Sequence, residues 1–449
     1  MGAATRLTLI AAILGSAMVF IDGTVVNVAL PPIQRDLGGG LAAQQWVVDA
    51  YLLTLGSLIL VGGSLGDIYG EVRIFKLGVI SFGVTSVLCA VAPTSNTLIV
   101  FRGLQGIAGA LLTPASLAII TSTFSGAERG AAIGSWTAFS GISTVVGPLL
   151  GGWLIAVSTW RLIFIINVPI ALATLAVTTR MAQHETRRAG VRIDYVGAAL
   201  CVAGLGAVVF GFIEQPRLGW NAAILACLLG GAALLAAFVV WEMHAPQPML
   251  ELRLFRLRNF SVTNVETFAV YGGLSAWGFF LVLYLQQIAG YSPFRAGLAT
   301  LPVTIVMFLL SRFVGRYSMR IGPRLFMGLG PLIAGVSVVM LARLPERLEY
   351  WSELLPWLVG FSLGLSLTVA PLTTTVLSDA GPGDAGIASG INNAVARVAG
   401  LVAIAVIGIA ASGGTERLTT HGFHLSMLLT ASLLCVGGVI GAAFIRNPS

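Results

Sequence analysis

The chain has 449 residues, of which 57% are hydrophobic and 10% charged, with a mean hydropathy of +0.93. Soluble domains carry about 25% charged residues, so composition excludes a water-soluble enzyme or binding module. The net charge of +7 is mostly arginine between apolar runs, facing anionic lipid, and no nucleic-acid partner is expected.

The runs are roughly 20 residues long, the length at which a helix rising 1.5 Å per residue crosses about 30 Å of hydrocarbon. Strands of a barrel would be shorter and alternating. The sequence therefore predicts an all-α integral membrane protein of about fourteen transmembrane helices. In chain order, the first six spans are Leu7–Leu30, Gln44–Gly66, Ile74–Pro93, Asn96–Ser122, Ala131–Ala156 and Thr159–Thr179. Two follow at Ile193–Ile213 and Trp220–Trp241. The last six are Phe260–Gln287, Phe294–Ser318, Arg324–Arg343, Trp351–Leu377, Ala385–Ser412 and Phe423–Ile445. The first span lacks a convincing cleavage site and reads as a retained helix.

An even number of spans puts both termini on one side, and the positive-inside rule says which. With a cytoplasmic N-terminus, inner loops hold Arg73, Lys76, Arg129, Arg187, Arg188, Arg192, Arg253, Arg256, Arg258, Arg316 and Arg320. Outer loops hold Arg35, Arg217, Arg295, Arg347 and Arg417, so cytoplasmic termini are expected. Trp46, Trp160, Trp220, Trp241 and Trp351 sit near span ends as interfacial aromatics. Cys89, Cys201, Cys227 and Cys435 fall inside spans and read as packing residues.

The charged stretches "RMAQHETRRAGVR" and "WEMHAPQPMLELRLFRLRN" divide the chain. An N-terminal six-helix bundle (1–180) leads through a cytoplasmic linker (181–192) to a two-helix hairpin (193–241). A second linker (242–259) leads to a C-terminal six-helix bundle (260–449). Paired six-helix halves are the layout of transporters built from repeats, with a cavity between the halves near the midplane. "GGSLGDIYGEVR" at Gly62 and "VGRYSMRIGPR" at Val314 read as one element used twice.

An ionised carboxylate at the bilayer centre costs about 2.5–3.5 kcal/mol on insertion scales, so intramembrane acids face a cavity or a partner. Asp22 lies about nine residues from the expected outer end of its helix. Desolvation disfavours the charged form of a carboxyl group and brings proton binding into the physiological range, so an acid at this depth can carry a proton. The competing reading is an acid held in a permanent salt bridge or at a wet mouth. Arg102 lies at a similar depth, roughly 9 Å below the outer surface, and either pairs with Asp22 or snorkels to the headgroups. "RGLQGIAGA" puts Gln105, Gly106 and Gly109 on its helical face. In the fifth span, Gly134, Gly141, Gly147, Pro148, Gly151 and Gly152 make a bendable helix suited to a gate, or one that simply packs closely.

"IDGTVVNVALP", "LIVFRGLQGIAGA" and the fifth-span pattern through Gly134, Ser143, Gly147, Pro148 and Gly151 resemble three signature motifs of the major facilitator superfamily. Specifically, they resemble its fourteen-helix drug:proton antiporter family; the first motif is specific to that family, and the glycine–proline motif marks exporters. Span count, central hairpin and "TWRLIFIINVPIALA" extend the likeness over nearly the full length. The resemblance implies the major facilitator fold in a bacterial cytoplasmic membrane. It implies that Asp22 couples protons or cations, that Arg102 relays protons, and that Gly147 and Pro148, with Gly151, form the hinge. "GSLGDIYGEVR" resembles the superfamily's cytoplasmic gating loop, with Asp67 as its acid, Gly63 and Gly70 as turn residues and Arg73 nearby. Ile68 and Glu71 stand where basic residues are usual, and Met319 stands for the acid of the second copy.

Asp49 is expected to line the outer cavity, bind a cation or sit at a wet helix end, and Glu266 to attract cationic substrates. Arg397, with Asn393 one turn before it, needs a partner, whereas Arg312 snorkels. Asn27, Tyr51, Gln105, Phe139, Phe268, Tyr271, Trp277 and Phe280 are cavity candidates on pattern. The leading expectation is proton-coupled export of amphipathic or cationic drugs by alternating access, with the proton gradient in place of any cofactor, by a chain surrounded by membrane lipid and functional as a monomer. Export of one endogenous metabolite, antibiotic or lipid shares every coupling residue. A membrane-embedded enzyme or sensor finds no HExxH, paired CxxC or phosphate loop, and the His421/His424 pair reads as a solvated loop rather than a metal site.

Overall fold

The computed structural model describes residues 3–181, 192–412 and 417–447. The linker expected at 181–192 thus falls, apart from its two ends, outside the described residues, together with His184, Arg187 and Arg188. Gly141, Arg312 and Met319 are helical, and only their backbone is described.

All regular structure among the described residues is helical, because in hydrocarbon each backbone N–H and C=O must be satisfied within its own segment. The chain divides into two compact units, residues 1–205 with 233–249, and residues 206–232 with 250–449. The first unit holds α1 (Ala3–Leu37), α2 (Gly40–Tyr69), α3 (Glu71–Ala90), α4 (Ser95–Thr123), α5 (Gly126–Val157), α6 (Leu162–Ile165) and α7 (Asn167–Thr178). The hairpin α8 (Tyr195–Leu218) and α9 (Ala222–His244) is shared between the units. The second holds α10 (Arg258–Gln287), α11 (Pro293–Ala299), α12 (Leu301–Ile321), α13 (Pro323–Leu341), α14 (Leu355–Ser412) and α15 (Thr420–Phe444).

Twelve helical stretches among the described residues are long and apolar enough to cross a membrane, and Val146–Val157 and Leu162–Thr178 are shorter apolar helices. This is a multi-pass integral membrane protein. Its outer surface is apolar for the same reason: Leu77, Ile80, Val84, Val87 and Val91 form an exposed stripe along α3, while Val79, Phe82 and Cys89 are buried. In α9 only 11% of the apolar window is buried, against 72% in α10, so α9 is a peripheral helix and α10 a core one.

Helix ends differ from expectation where a polar contact overrides hydropathy. α1 continues to Leu37, through Pro31 and Pro32, instead of ending at Leu30. Near that end Asp36 accepts hydrogen bonds from Trp160 Nε1 at 2.9 Å and Arg161 Nη1 at 2.6 Å. Trp160 is consequently 4% exposed and belongs to this contact instead of a free aromatic belt. The sixth span is broken at Ile166, so Asn167 opens α7. The twelfth and thirteenth spans, Tyr350–Ala380 and Gly386–Ser412, both run in the helical segment α14, the twelfth after a π-helical turn at Tyr350–Leu354. Asp379 there accepts from the Phe260 N–H at 2.9 Å, and Asp384 pairs with Arg253 at 2.9 Å.

The two copies of the glycine loop share a backbone. Gly70, between α2 and α3, has φ 97° and ψ 130°; Gly322, between α12 and α13, has φ 102° and ψ 148°. Each N–H bonds the carbonyl four residues back at 2.9 Å, and a positive φ favours glycine at both. Glu71 opens α3, where a carboxylate complements the helix dipole, and accepts from Ser122 Oγ at 2.7 Å. The acid that departs from the superfamily's pattern thus ties α3 to the end of α4.

Packing of α2 on α4 depends on glycine. A Cβ on Gly62 would lie 2.0 Å from the Ala110 carbonyl oxygen, and one on Gly106 would lie 2.1 Å from Thr54 Oγ1 and 2.4 Å from the Tyr51 carbonyl oxygen. Gly63, the expected turn residue, has only an ordinary 3.8 Å contact with Pro114. Gly62→Ala or Gly106→Ala should cost about 1–3 kcal/mol through overpacking and lower the thermal unfolding midpoint in detergent. Gly230→Ala, with nothing within 4 Å, should leave it unchanged.

Candidate functional site

Four helices, α2, α3, α4 and α7, converge on Asp22 of α1. α4 supplies Arg102 and, one turn on, Gln105; α3 supplies Ser86 and Cys89 at the same spacing; α2 brings Tyr51 and the Val47 carbonyl; α7 starts with Asn167. Asp22, Gln105, Ser86 and Asn167 are fully buried and Arg102 is 1% exposed.

Both carboxylate oxygens are occupied. Arg102 Nη1 donates to Asp22 Oδ2 at 2.5 Å. Oδ1 accepts from Gln105 Nε2 at 3.0 Å and from Asn167 Nδ2 at 3.3 Å. The same two amides donate to Ser86 Oγ, at 2.9 and 3.2 Å. The guanidinium is held on its other sides: Nε donates to the Val47 carbonyl at 3.0 Å and Nη1 to Gln105 Oε1 at 2.7 Å. Its Cζ lies 4.2 Å from the Tyr51 ring centroid and 5.7 Å from that of Phe164. This combination of planar donors and stacked faces suits arginine and does not suit lysine. A buried pair is tolerable because both carboxylate oxygens, and Nε and Nη1 of the guanidinium, have partners.

α5 closes on α1 beside this cluster. A Cβ on Gly147 would lie 2.1 Å from Thr24 Oγ1, and one on Gly151 would lie 2.4 Å from Val25 Cγ2; Pro148 stands between them within the helix.

The remaining expected residues are distributed unevenly. Asp49 is fully buried, and among the described residues neither of its carboxylate oxygens has a hydrogen-bond partner. Glu266 is likewise buried and unpartnered, and it lies in the packing of α10 on α15, where a Cβ on Gly441 would sit 2.7 Å from its Oε2. Trp277 stacks on Phe361 with ring centroids 4.3 Å apart, and Phe280 is fully buried, so both are core residues of the second unit. Tyr271 packs beside Met327, Leu372 and Ile445, within electrostatic reach of the half-buried Arg397. Asn393 donates to the Ser389 carbonyl of its own helix, whereas its neighbour Asn392 bridges Asn264 Oδ1 at 3.2 Å and Thr267 Oγ1 at 2.7 Å. Phe139 and Phe268 are 50% and 37% exposed, Asn27 and Asp67 are half-buried, and Arg73 is exposed.

Among the described residues no group of three or more His, Cys, Asp or Glu is placed to hold a metal. His424 Nε2 is 3.0 Å from the Leu344 carbonyl oxygen. Ser86, Cys89 and Asn167 were missed as members of the cluster; the signal for Asn167 is a side-chain amide in an apolar run, which calls for a partner as much as an acid does.

The sequence profile of the Major Facilitator Superfamily matches residues 12–404. The chain belongs to that superfamily. It is 36% identical over 411 residues to the Multidrug resistance protein Stp of Mycobacterium tuberculosis, covering 90% of this chain and 75% of that protein. It is 33% identical over 453 residues to the Puromycin resistance protein pur8 of Streptomyces alboniger, covering 96% and 89%. The fold matches a D-xylose-proton symporter with a TM-score of 0.70 at 14% identity, covering 99% of both chains, a likeness of fold alone. Membership of the Major Facilitator Superfamily makes the protein a transporter and not an enzyme.

In this Major Facilitator chain, Arg102→Met leaves Asp22 as an unpaired buried charge and should cost about 3–5 kcal/mol. Adding Asp22→Asn should recover part of that loss, a non-additivity read from thermal unfolding of the two single variants and the double variant in detergent.

Proposed function

We propose that this protein exports amphipathic or cationic small molecules from the cytoplasm in exchange for protons, by alternating access. The observation that carries the reading is Asp22 itself: a carboxylate buried in an apolar helix, neutralised by one arginine and held by two further hydrogen bonds, from Gln105 and Asn167. Asp22 carries the proton. Arg102 opposes protonation when close and permits it when withdrawn, because a nearby guanidinium favours the charged acid. On the outer side Asp22 takes a proton and substrate leaves; on the inner side the proton leaves and substrate binds.

One proton moving down a 100 mV potential supplies about 2.3 kcal/mol, and each pH unit adds about 1.4 kcal/mol. That sustains a substrate gradient of tens to hundreds. Gly147, Pro148 and Gly151 act as the hinge of α5 against α1, and Gly63 and Asp67 on α2, Gly70 between the helices and Arg73 on α3 as an inner gate. Val146–Val157 and Leu162–Thr178 complete fourteen spans, with α8 and α9 as an inserted hairpin and both termini cytoplasmic.

Asp49 and Glu266 are further candidates for proton or cation coupling, since neither has a hydrogen-bond partner. Asn27, Phe139, Phe268, Tyr271, Asn393 and Arg397 remain candidates for substrate contact.

A second reading, a dedicated exporter of one endogenous compound, is favoured by a relative named Tetracenomycin C resistance and export protein, from Streptomyces glaucescens, 34% identical over 408 residues. Ethidium efflux under an imposed pH gradient tests the first reading. Efflux should depend on the gradient and be lost in Asp22→Asn at unchanged membrane abundance. Normal coupling in Asp22→Asn would transfer the role to Asp49 or Glu266, to be read from Asp49→Asn and Glu266→Gln. Failure to move ethidium, with gradient-dependent transport of a single antibiotic from a panel, would favour the dedicated exporter.

A further inference from the structure

We infer that Asn167 is the positioning residue that lets the cluster hold Asp22 in both protonation states, by turning its side-chain amide through half a turn. The inference rests on Asp22 being the proton carrier proposed above.

As the cluster stands, every group facing the carboxylate suits an anion. Oδ1 receives two N–H donors, from Gln105 and Asn167, and Oδ2 receives Arg102. A proton delivered by hydronium to Oδ1 forms one O–H bond as one hydronium O–H bond breaks and water is released, but the new O–H would point into donors. Something in the shell must then become an acceptor.

Arg102 cannot, because a guanidinium has donors alone. Gln105 is committed at both ends: its Oε1 accepts from Arg102 at 2.7 Å and lies 3.5 Å from the Cys89 sulfur, while its Nε2 serves Asp22 and Ser86. Tyr51 meets Arg102 with its ring, and its hydroxyl lies 3.5 Å from the Val19 carbonyl oxygen. Arg102, Cys89 and Tyr51 are the titratable groups that α4, α3 and α2 bring to the site. α5 meets α1 here through Gly147 and Gly151, and α6 brings Phe164.

Asn167 differs from all of these. Its donor bonds, 3.3 Å to Asp22 and 3.2 Å to Ser86, are the longest nitrogen–oxygen contacts of the cluster. Its Oδ1 is buried and, among the described residues, has no hydrogen-bond partner. The terminal torsion of an asparagine is broad and roughly two-fold, so half a turn exchanges Nδ2 and Oδ1 without moving the backbone. In the turned state Oδ1 accepts from the new Asp22 O–H and from the Ser86 hydroxyl, which rotates to donate. The spare acceptor is the feature that makes this exchange possible.

Infrared difference titration of the purified full-length protein in lipid vesicles tests the idea without any transported ligand. The C=O band of protonated Asp22 is identified by its loss in Asp22→Asn, and the amide C=O band of Asn167 by its loss in Asn167→Leu. The two bands should titrate together, with the amide band moving to lower frequency as Asp22 takes its proton. In Asn167→Leu the protonated Asp22 loses the acceptor for its O–H, so its C=O band should move to higher frequency and the coupled amide band should be gone. An amide band that stays constant while Asp22 titrates, or an Asp22 C=O band unmoved in Asn167→Leu, overturns the inference and leaves the proposed function standing. Absence of any Asp22 band at all pH values overturns both. If Asn167→Leu fails to reach the membrane, Asn167→Gln serves for the assignment, and Ser86→Ala, which removes one donor to the turned amide, should reduce the amide shift. An identical shift in Ser86→Ala would then overturn the inference.

Discussion

The structure of the first unit depends on one constraint: an aspartate and an arginine, both removed from water, must satisfy each other and draw further hydrogen bonds from the helices around them. Removing a carboxylate and a guanidinium from water costs several kcal/mol per ion, and a Coulombic contact repays that only with good geometry and additional hydrogen bonds. Here the repayment comes from Gln105, Asn167, Ser86 and the Val47 carbonyl, contributed by four different helices. The register of α1, α2, α3, α4 and α7 is therefore tied to the pair. A slip of one residue in any of them would strand a buried donor or acceptor.

Small residues make that convergence possible. Gly62 and Gly106 bring the α2 and α4 backbones to a separation that no side chain would allow, which places the Tyr51 ring over the guanidinium. Gly147 and Gly151 do the same for α5 against α1. Hydrophobic burial gives helices little reason to associate in lipid, so close packing and interhelical hydrogen bonds carry the association. Polar cluster and glycine contacts are in this sense one design: the glycines set the distances at which the hydrogen bonds form.

The second unit handles its acid differently. Among the described residues Glu266 has no salt-bridge or hydrogen-bond partner, and it sits where Gly437 and Gly441 leave room on α15. The polar bridge of this unit runs instead through Asn264, Thr267 and Asn392, all uncharged. The glycine loops at Gly70 and Gly322, by contrast, keep the same backbone in both units although their side chains have diverged. The repeated element is thus a backbone turn, and the charged chemistry is particular to each half.

The sequence by itself determined the membrane class, the order of the helices and the likeness to a superfamily, because apolar runs of fixed length and motifs of fixed spacing are local properties. It also pointed to Asp22 and Arg102, since charges in hydrocarbon are conspicuous. Tertiary structure alone decided who surrounds them. Asn167 and Ser86 are ordinary polar residues in apolar runs, and their role appears only when residues up to 145 positions apart meet. The same holds where expectation and structure part. α1, expected to end at Leu30, runs on to Leu37 with Asp36 bound to Trp160 and Arg161; and between neighbours it is Gly62 that makes the close approach to α4 and Asn392 that bridges Asn264 and Thr267. Neighbouring residues on a helix point about 100° apart, so a shift of one position separates a residue in the core from one outside it, and only the packed partner says which it is.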